Sequence, residues 1–178
     1  MRLLNKLFRR QSEMDYLLCH GMKIGKNCHI YSESTIDHIY PHLISMGNDV
    51  TISTNVTILA HDASTNVVGC GTKLGRVSIG DNVFIGTGTI ILCNVNIGSN
   101  VVIGAGSIVT RDIPDNGVYA GSPAKRICSI EEYREKTRAL RAECPDLSII
   151  RPWDQWADAS QEDRQKMYEA LTDGVGFI

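Results

Sequence analysis

Ile79-Gly80-Asp81-Asn82-Val83-Phe84 and Ile85-Gly86-Thr87-Gly88-Thr89-Ile90 open a run in which an aliphatic residue returns at every sixth position: Ile79, Ile85, Ile91, Ile97, Ile103 and Val109. An α-helix needs apolar spacings of three and four and a lone strand needs two, so neither ordinary period accounts for the register. Three residues after each aliphatic stand Asn82, Gly88, Asn94, Asn100, Gly106 and Asp112, the residue types that best tolerate positive φ. One position further come Val83, Thr89, Val95, Val101, Ser107 and Ile113, mostly small or β-branched side chains suited to a crowded, pleated interior. A short strand followed by a corner, three times per coil, winds the chain into a triangular prism whose coils stack about 4.8 Å apart. The reading is an all-β solenoid, a parallel β-helix.

Outward from this run, the same phase recurs at Ile24, Ile30 and Ile36 and again at Met46, Ile52 and Ile58, which brings the solenoid to about four coils. Two interruptions break the count. Four extra residues fall at His42 to Ser45, and a Gly-, Thr- and Ser-rich insertion occupies Ser64 to Ser78. A loop of that length inside a compact domain is functional more often than accidental. After Ile113-Pro114 the period stops, and Tyr119-Ala120-Gly121-Ser122-Pro123-Ala124-Lys125 reads as a turn-rich exit. Ser129-Ile130-Glu131-Glu132 then opens a helix with Ser129 as N-cap, and a second helix begins near Asp154 or Ser160 and runs to Leu171. Trp153 and Trp156, at i and i+3, read as a packing face. The organisation is an N-terminal helical segment over 1–21, the β-helix over 22–127 with its insertion at 64–78, and a C-terminal helical extension over 128–178.

The chain has 178 residues, with 18 Lys and Arg against 20 Asp and Glu, so it offers no broad basic footprint for nucleic acid. Six cysteines without a C-x-x-C pair, and no secretory h-region, fit reduced thiols in a cytoplasmic protein. No apolar run approaches the roughly 20 residues that a membrane span needs. Met1-Arg2-Leu3-Leu4-Asn5-Lys6-Leu7-Phe8-Arg9-Arg10 is either a terminal helix packed on its own domain or a short basic amphipathic helix, so membrane contact is at most peripheral.

The hexads from Ile79 to Gly86, the stretch Ile103-Gly104-Ala105-Gly106-Ser107-Ile108-Val109-Thr110 and the exit Ala120-Gly121-Ser122-Pro123-Ala124-Lys125 resemble the hexapeptide-repeat O-acetyltransferases over residues 22 to 127. That resemblance implies a left-handed winding and a homotrimer whose active sites lie in grooves between neighbouring prisms. It also implies acetyl-CoA as co-substrate, a sugar or glycan-precursor hydroxyl as acceptor, and a histidine as general base.

The histidine is His61. It occupies the corner slot of the hexad begun by Ile58, stands just before the insertion, and in Leu59-Ala60-His61-Asp62 matches the family's catalytic position. An imidazole, of unperturbed pKa about 6.5, suits removal of a hydroxyl proton at neutral pH. A side chain at a corner is expected to point outward. Asp62 either orients the ring, contacts the acceptor or is a solvated loop carboxylate, and a backbone carbonyl would hold the ring equally well. By family position Ser32 and the area around Asp37 line the acceptor pocket. Phe84 stands beside the pantetheine arm or packs between subunits, and the Thr87 backbone N–H meets the oxyanion. Ala105 and Thr110 match backbone-lined coenzyme contacts. Arg111, Lys125 and Arg126 either meet the coenzyme's phosphates and adenine end or are solvated.

The remaining histidines bear on zinc-dependent relatives of this fold, which use two histidines five residues apart. His38 and His42 are four apart with Pro41 between them, so no metal is expected. Two further readings stay open: N-acetylation of an amino sugar or antibiotic, and a non-catalytic scaffold that binds through the prism faces.

Overall fold

The computed structural model describes residues 13–150, 153–172 and 174–178, which form two compact units, one ending at Ile130 and the other Glu131–Ile178. The basic segment Met1 to Arg10 and the side chains of Trp153 and Trp156 lie outside the described residues.

In the first unit the chain visits three parallel sheets in constant order. Face one holds Ile44–Met46, Val77–Ile79 and Val95–Ile97. Face two holds His29–Ile30, Val50–Ile52, Val83–Ile85, Val101–Ile103 and Gly117–Ala120. Face three holds Thr35–Ile36, Thr57–Ile58, Ile90–Ile91 and Ile108–Val109. Parallel strands cannot be joined by tight hairpins, so a chain of such short strands satisfies its backbone by pairing each with the one a full turn away.

The register explains the period of six. Ile36, Ile58, Ile91 and Val109 stack in one column and Ile52, Ile85 and Ile103 in another, and each of the seven is buried. The next slot of the repeat is equally internal: Val83, Thr89, Val95, Val101, Ser107 and Ile113 are all buried. At Gly86 the neighbouring turn passes so close that a Cβ would stand 2.5 Å from the Ala105 nitrogen, so this slot excludes any side chain.

The corners are not equivalent. Between faces one and two, Asn27, Asp49, Asn82, Asn100 and Asn116 all take positive φ, and Asn82 donates to Asn100 at 2.8 Å, which donates to Asn116 at 3.1 Å. Between faces two and three, Glu33, Asn55, Gly88 and Gly106 do the same. Between faces three and one, only Asn94 keeps the left-handed turn; Ile39, His61 and Asp112 abandon it. Both interruptions of the repeat fall on this third corner.

The first of them is a turn of 3-10 helix, Pro41–Leu43. The second is more ordered than a loop: His61–Asp62 pairs antiparallel with Lys73–Leu74, and a 3-10 segment Ala63–Val68 fills the tip. Its last two residues by the sequence reading, Val77 and Ser78, belong to the face-one strand, because the position two before the repeat's aliphatic is also internal. The exit from the solenoid is a further strand, Lys125–Ser129, antiparallel to Gly117–Ala120.

In the second unit, helix Ile130–Glu143 is followed by 3-10 turns at Leu147–Ile149 and Trp153–Asp158 and by helix Gln161–Ala170. Ser160 closes a capping box with Asp163, which sets the start of the last helix. Among the described residues no helix is long and apolar enough to cross a membrane. All six thiols are free.

Candidate active site

The third corner gathers the chemistry. Asp37 ends face three one turn before His61, and its side chain is almost wholly buried. One carboxylate oxygen, Oδ1, accepts the backbone N–H of Ile39 at 3.0 Å and of Tyr40 at 3.2 Å. The other, Oδ2, accepts the N–H of Ala60 at 2.9 Å and lies against Nδ1 of the His61 ring. Four donors thus satisfy both oxygens, which is how a buried carboxylate stays tolerable. Burial pushes the Asp37 carboxyl up, but the His61 ring and the three backbone N–H groups outweigh it and hold it below the ordinary 3.8.

This geometry sets the orientation of His61. With Nδ1 turned to a carboxylate, Nδ1 carries the proton and Nε2 keeps its lone pair. Nε2 makes no hydrogen bond among the described residues, and the side chain is 28% exposed. The Tyr40 ring packs edge-on against the imidazole, centroids 5.5 Å apart. His61 therefore does not sit as the outward-pointing corner residue that the hexad phase predicts. A left-handed corner would aim its Cβ away from the stack; at an extended position the ring lies back on the preceding turn instead.

Asp62, adjacent in sequence, takes no part in holding the ring. Side chains of neighbouring strand residues point to opposite sides, and Asp62 caps Ser64 and pairs with Lys73 at 3.1 Å. The Ser64 hydroxyl and N–H, with the Lys73 ammonium, lower its carboxyl to about 2. The carboxylate that meets the ring is Asp37, which sequence reading assigned to the acceptor pocket. The signal was present in the coil length. Ile36 pairs with Ile58, so the residue after Ile36 must lie beside those following Ile58.

The other sequence-predicted residues are distributed over the prism. Ser32, Thr87 and Ala105 lie at the corner between faces two and three, and the Thr87 hydroxyl is 3.3 Å from that of Thr54. Phe84 points outward from face two and is 44% exposed. Lys125 and Arg126 lie on the antiparallel strand at the end of face two, exposed. Thr110 and Arg111 are exposed at the His61 corner, two strands along the face-three sheet from the Thr57–Ile58 strand that precedes His61. One chain joins His61 to Asp37 and does not join it to Thr87, Phe84 or Ala105. No three His, Cys, Asp or Glu side chains gather as a metal-ligand group among the described residues.

Three parallel sheets wound on a six-residue repeat, with a carboxylate-held imidazole at a broken corner, define the class of fold, a hexad-built β-solenoid. The family model for the bacterial transferase hexapeptide (six repeats) matches residues 76–111. Protein CapG of Staphylococcus aureus is 44% identical over 141 residues, spanning 76% of this chain and 81% of CapG. The crystal structure of a maltose O-acetyltransferase from Clostridium difficile 630 superposes with a TM-score of 0.53 at 32% identity, over 67% of this chain and 75% of that one. A hexapeptide-repeat acetyltransferase of Vibrio cholerae O1 biovar eltor, solved in complex with acetyl-CoA, gives a TM-score of 0.57 at 25% identity, over 61% of this chain and 60% of that one. The chain belongs to the hexapeptide-repeat acetyltransferases.

Proposed function

We propose that this protein transfers the acetyl group of acetyl-CoA to a hydroxyl of a sugar or glycan precursor, with His61 as general base and Asp37 as the residue that positions it. The observation that carries the reading is the His61–Asp37 pair, with Nδ1 on a buried, fully satisfied carboxylate and Nε2 left to accept a proton. The acceptor hydroxyl gives its proton to Nε2 while its oxygen attacks the thioester carbon. The Thr87 N–H stabilises the resulting oxyanion, and collapse expels the coenzyme thiolate, which takes the proton back from the imidazolium. Phe84 flanks the pantetheine arm, Ala105 and Thr110 offer backbone contacts, and Arg111, Lys125 and Arg126 meet the phosphates and adenine end. Ser32 contributes to the acceptor pocket. The winding is left-handed, with about four coils.

The proposed assembly is a homotrimer, which brings the His61 corner of one protomer to the Thr87 corner of the next. Outward side chains support this. Face one presents Ser45, Ser78 and Asn96, whereas face two presents Thr51, Phe84 and Val102 and face three Thr57, Ile90 and Ile108. Faces two and three mix polar outward positions (His29 and Thr51; Thr35 and Thr57) with apolar ones, and two different part-apolar faces suit a cyclic head-to-tail interface that leaves the polar face to solvent. Ile90→Asp is accordingly expected to yield monomers in light scattering; a trimer of unchanged mass would remove face three from the interface.

Two measurements test the catalytic reading. Calorimetric titration with acetyl-CoA is expected to show binding, and its absence would leave only a scaffold. Release of free coenzyme A in the presence of hydroxyl and amine acceptors is expected to favour hydroxyls; preference for amines would reassign the protein to N-acetylation.

A further inference from the structure

The hairpin that carries His61 has two sides, and only one has been accounted for. In an antiparallel pair, directly opposite residues share a side, with Cβ atoms about 4.5–5.5 Å apart, and successive residues alternate. The register pairs Asp62 with Lys73 and His61 with Leu74. The Asp62–Lys73 ion pair therefore occupies one side, and Leu74 stands beside the imidazole on the other. Leu74 is 48% exposed and belongs to no buried cluster, so its apolar surface is left facing the solvent beside the ring. The hairpin is held in place from both ends. Asp62 caps the 3-10 segment at its tip through Ser64, and the Gly75 N–H donates to the Ala60 carbonyl at 3.0 Å at its base.

We propose that Leu74 is a positioning residue of the transfer site, an apolar wall that keeps water from Nε2 of His61 while acetyl-CoA is bound; this rests on the acetyl-transfer reading above. Water at that position would compete with the acceptor. It would give its proton to Nε2, its oxygen would bond to the thioester carbon, the carbon–sulfur bond would break, and the products would be acetate and free coenzyme A. A leucine opposite the base disfavours that path because it offers water no hydrogen bond.

The test uses acetyl-CoA as the sole probe, without acceptor, on the full chain. Leu74→Ser is expected to raise coenzyme A release about tenfold, with Leu74→Met near wild type, and the double variant Leu74→Ser/His61→Ala is expected to return to background. Calorimetric affinity for acetyl-CoA is expected to stay within about twofold throughout, since a wall against water is not a main source of binding energy. An unchanged rate in Leu74→Ser with acetyl-CoA binding intact would overturn the role of Leu74 and leave the transfer reading standing. A raised rate that persists without His61 would overturn it as well. Loss of acetyl-CoA binding by the wild type would overturn both.

Discussion

Replacing His61 with alanine is expected to lower turnover by about 10³-fold, within the range a positioned general base contributes, while leaving acetyl-CoA affinity and the assembly unchanged. The fold should survive because the ring is not part of the core. It is 28% exposed, and the buried Asp37 keeps three backbone donors, from Ile39, Tyr40 and Ala60, when the imidazole is gone. The measurement is coenzyme A release under saturating acetyl-CoA, paired with light scattering. Near-normal turnover by an intact assembly would end the assignment of His61. Partial recovery on adding free imidazole would mark the loss as one of a base and not of shape.

Asp37→Asn is expected to cost about 10²–10³-fold in kcat with little change in acetyl-CoA KM, because the imidazole would be held in the wrong tautomer. An amide has one acceptor oxygen where the carboxylate has two. Its NH₂ must then face either the backbone N–H groups of Ile39 and Tyr40 or the Ala60 N–H together with the His61 ring, and a buried donor left without an acceptor costs about 1–3 kcal/mol. The sign of the pH effect follows from the same geometry. Because the Asp37 carboxyl is held below the ordinary 3.8, its contribution to stability is fully present above that value and is lost as pH falls below it. Asp37 therefore stays ionised throughout the neutral range, and its acid-side loss falls below the ordinary carboxylate value. A purely structural role for Asp37 would lower stability and leave the kcat of the folded fraction in place. Activity within threefold of wild type would remove Asp37 from the mechanism.

The solenoid was legible in the chain because each coil must present the same kind of side chain at the same place for its neighbours to stack upon. The columns through Ile58, Ile91 and Val109 and through Ile52, Ile85 and Ile103 are the physical form of that period. The two insertions were legible as breaks in phase, and His61 as a histidine beside the longer one. The backbone at His61 was not. The hexad phase calls for a left-handed corner there, as at Asn55 and Asn82, yet the chain departs into an antiparallel hairpin whose ladder outweighs the corner's preference. Nor did residue type reveal that the insertion is structured, since its Gly, Thr and Ser content is that of a loop, while its order comes from the Asp62 cap and the pairing with Lys73 and Leu74.

By itself, then, the sequence determined the six-residue coil repeat, the internal columns and the position of the proposed base, because a repeat is a local rule that stacking makes global. The tertiary structure alone decided which carboxylate serves His61. Asp62 is its neighbour in the chain and points to the other side of the hairpin, as alternation on a strand requires. Asp37 is 24 residues away and meets the ring through coil register, which depends on how many residues the first insertion adds to one turn.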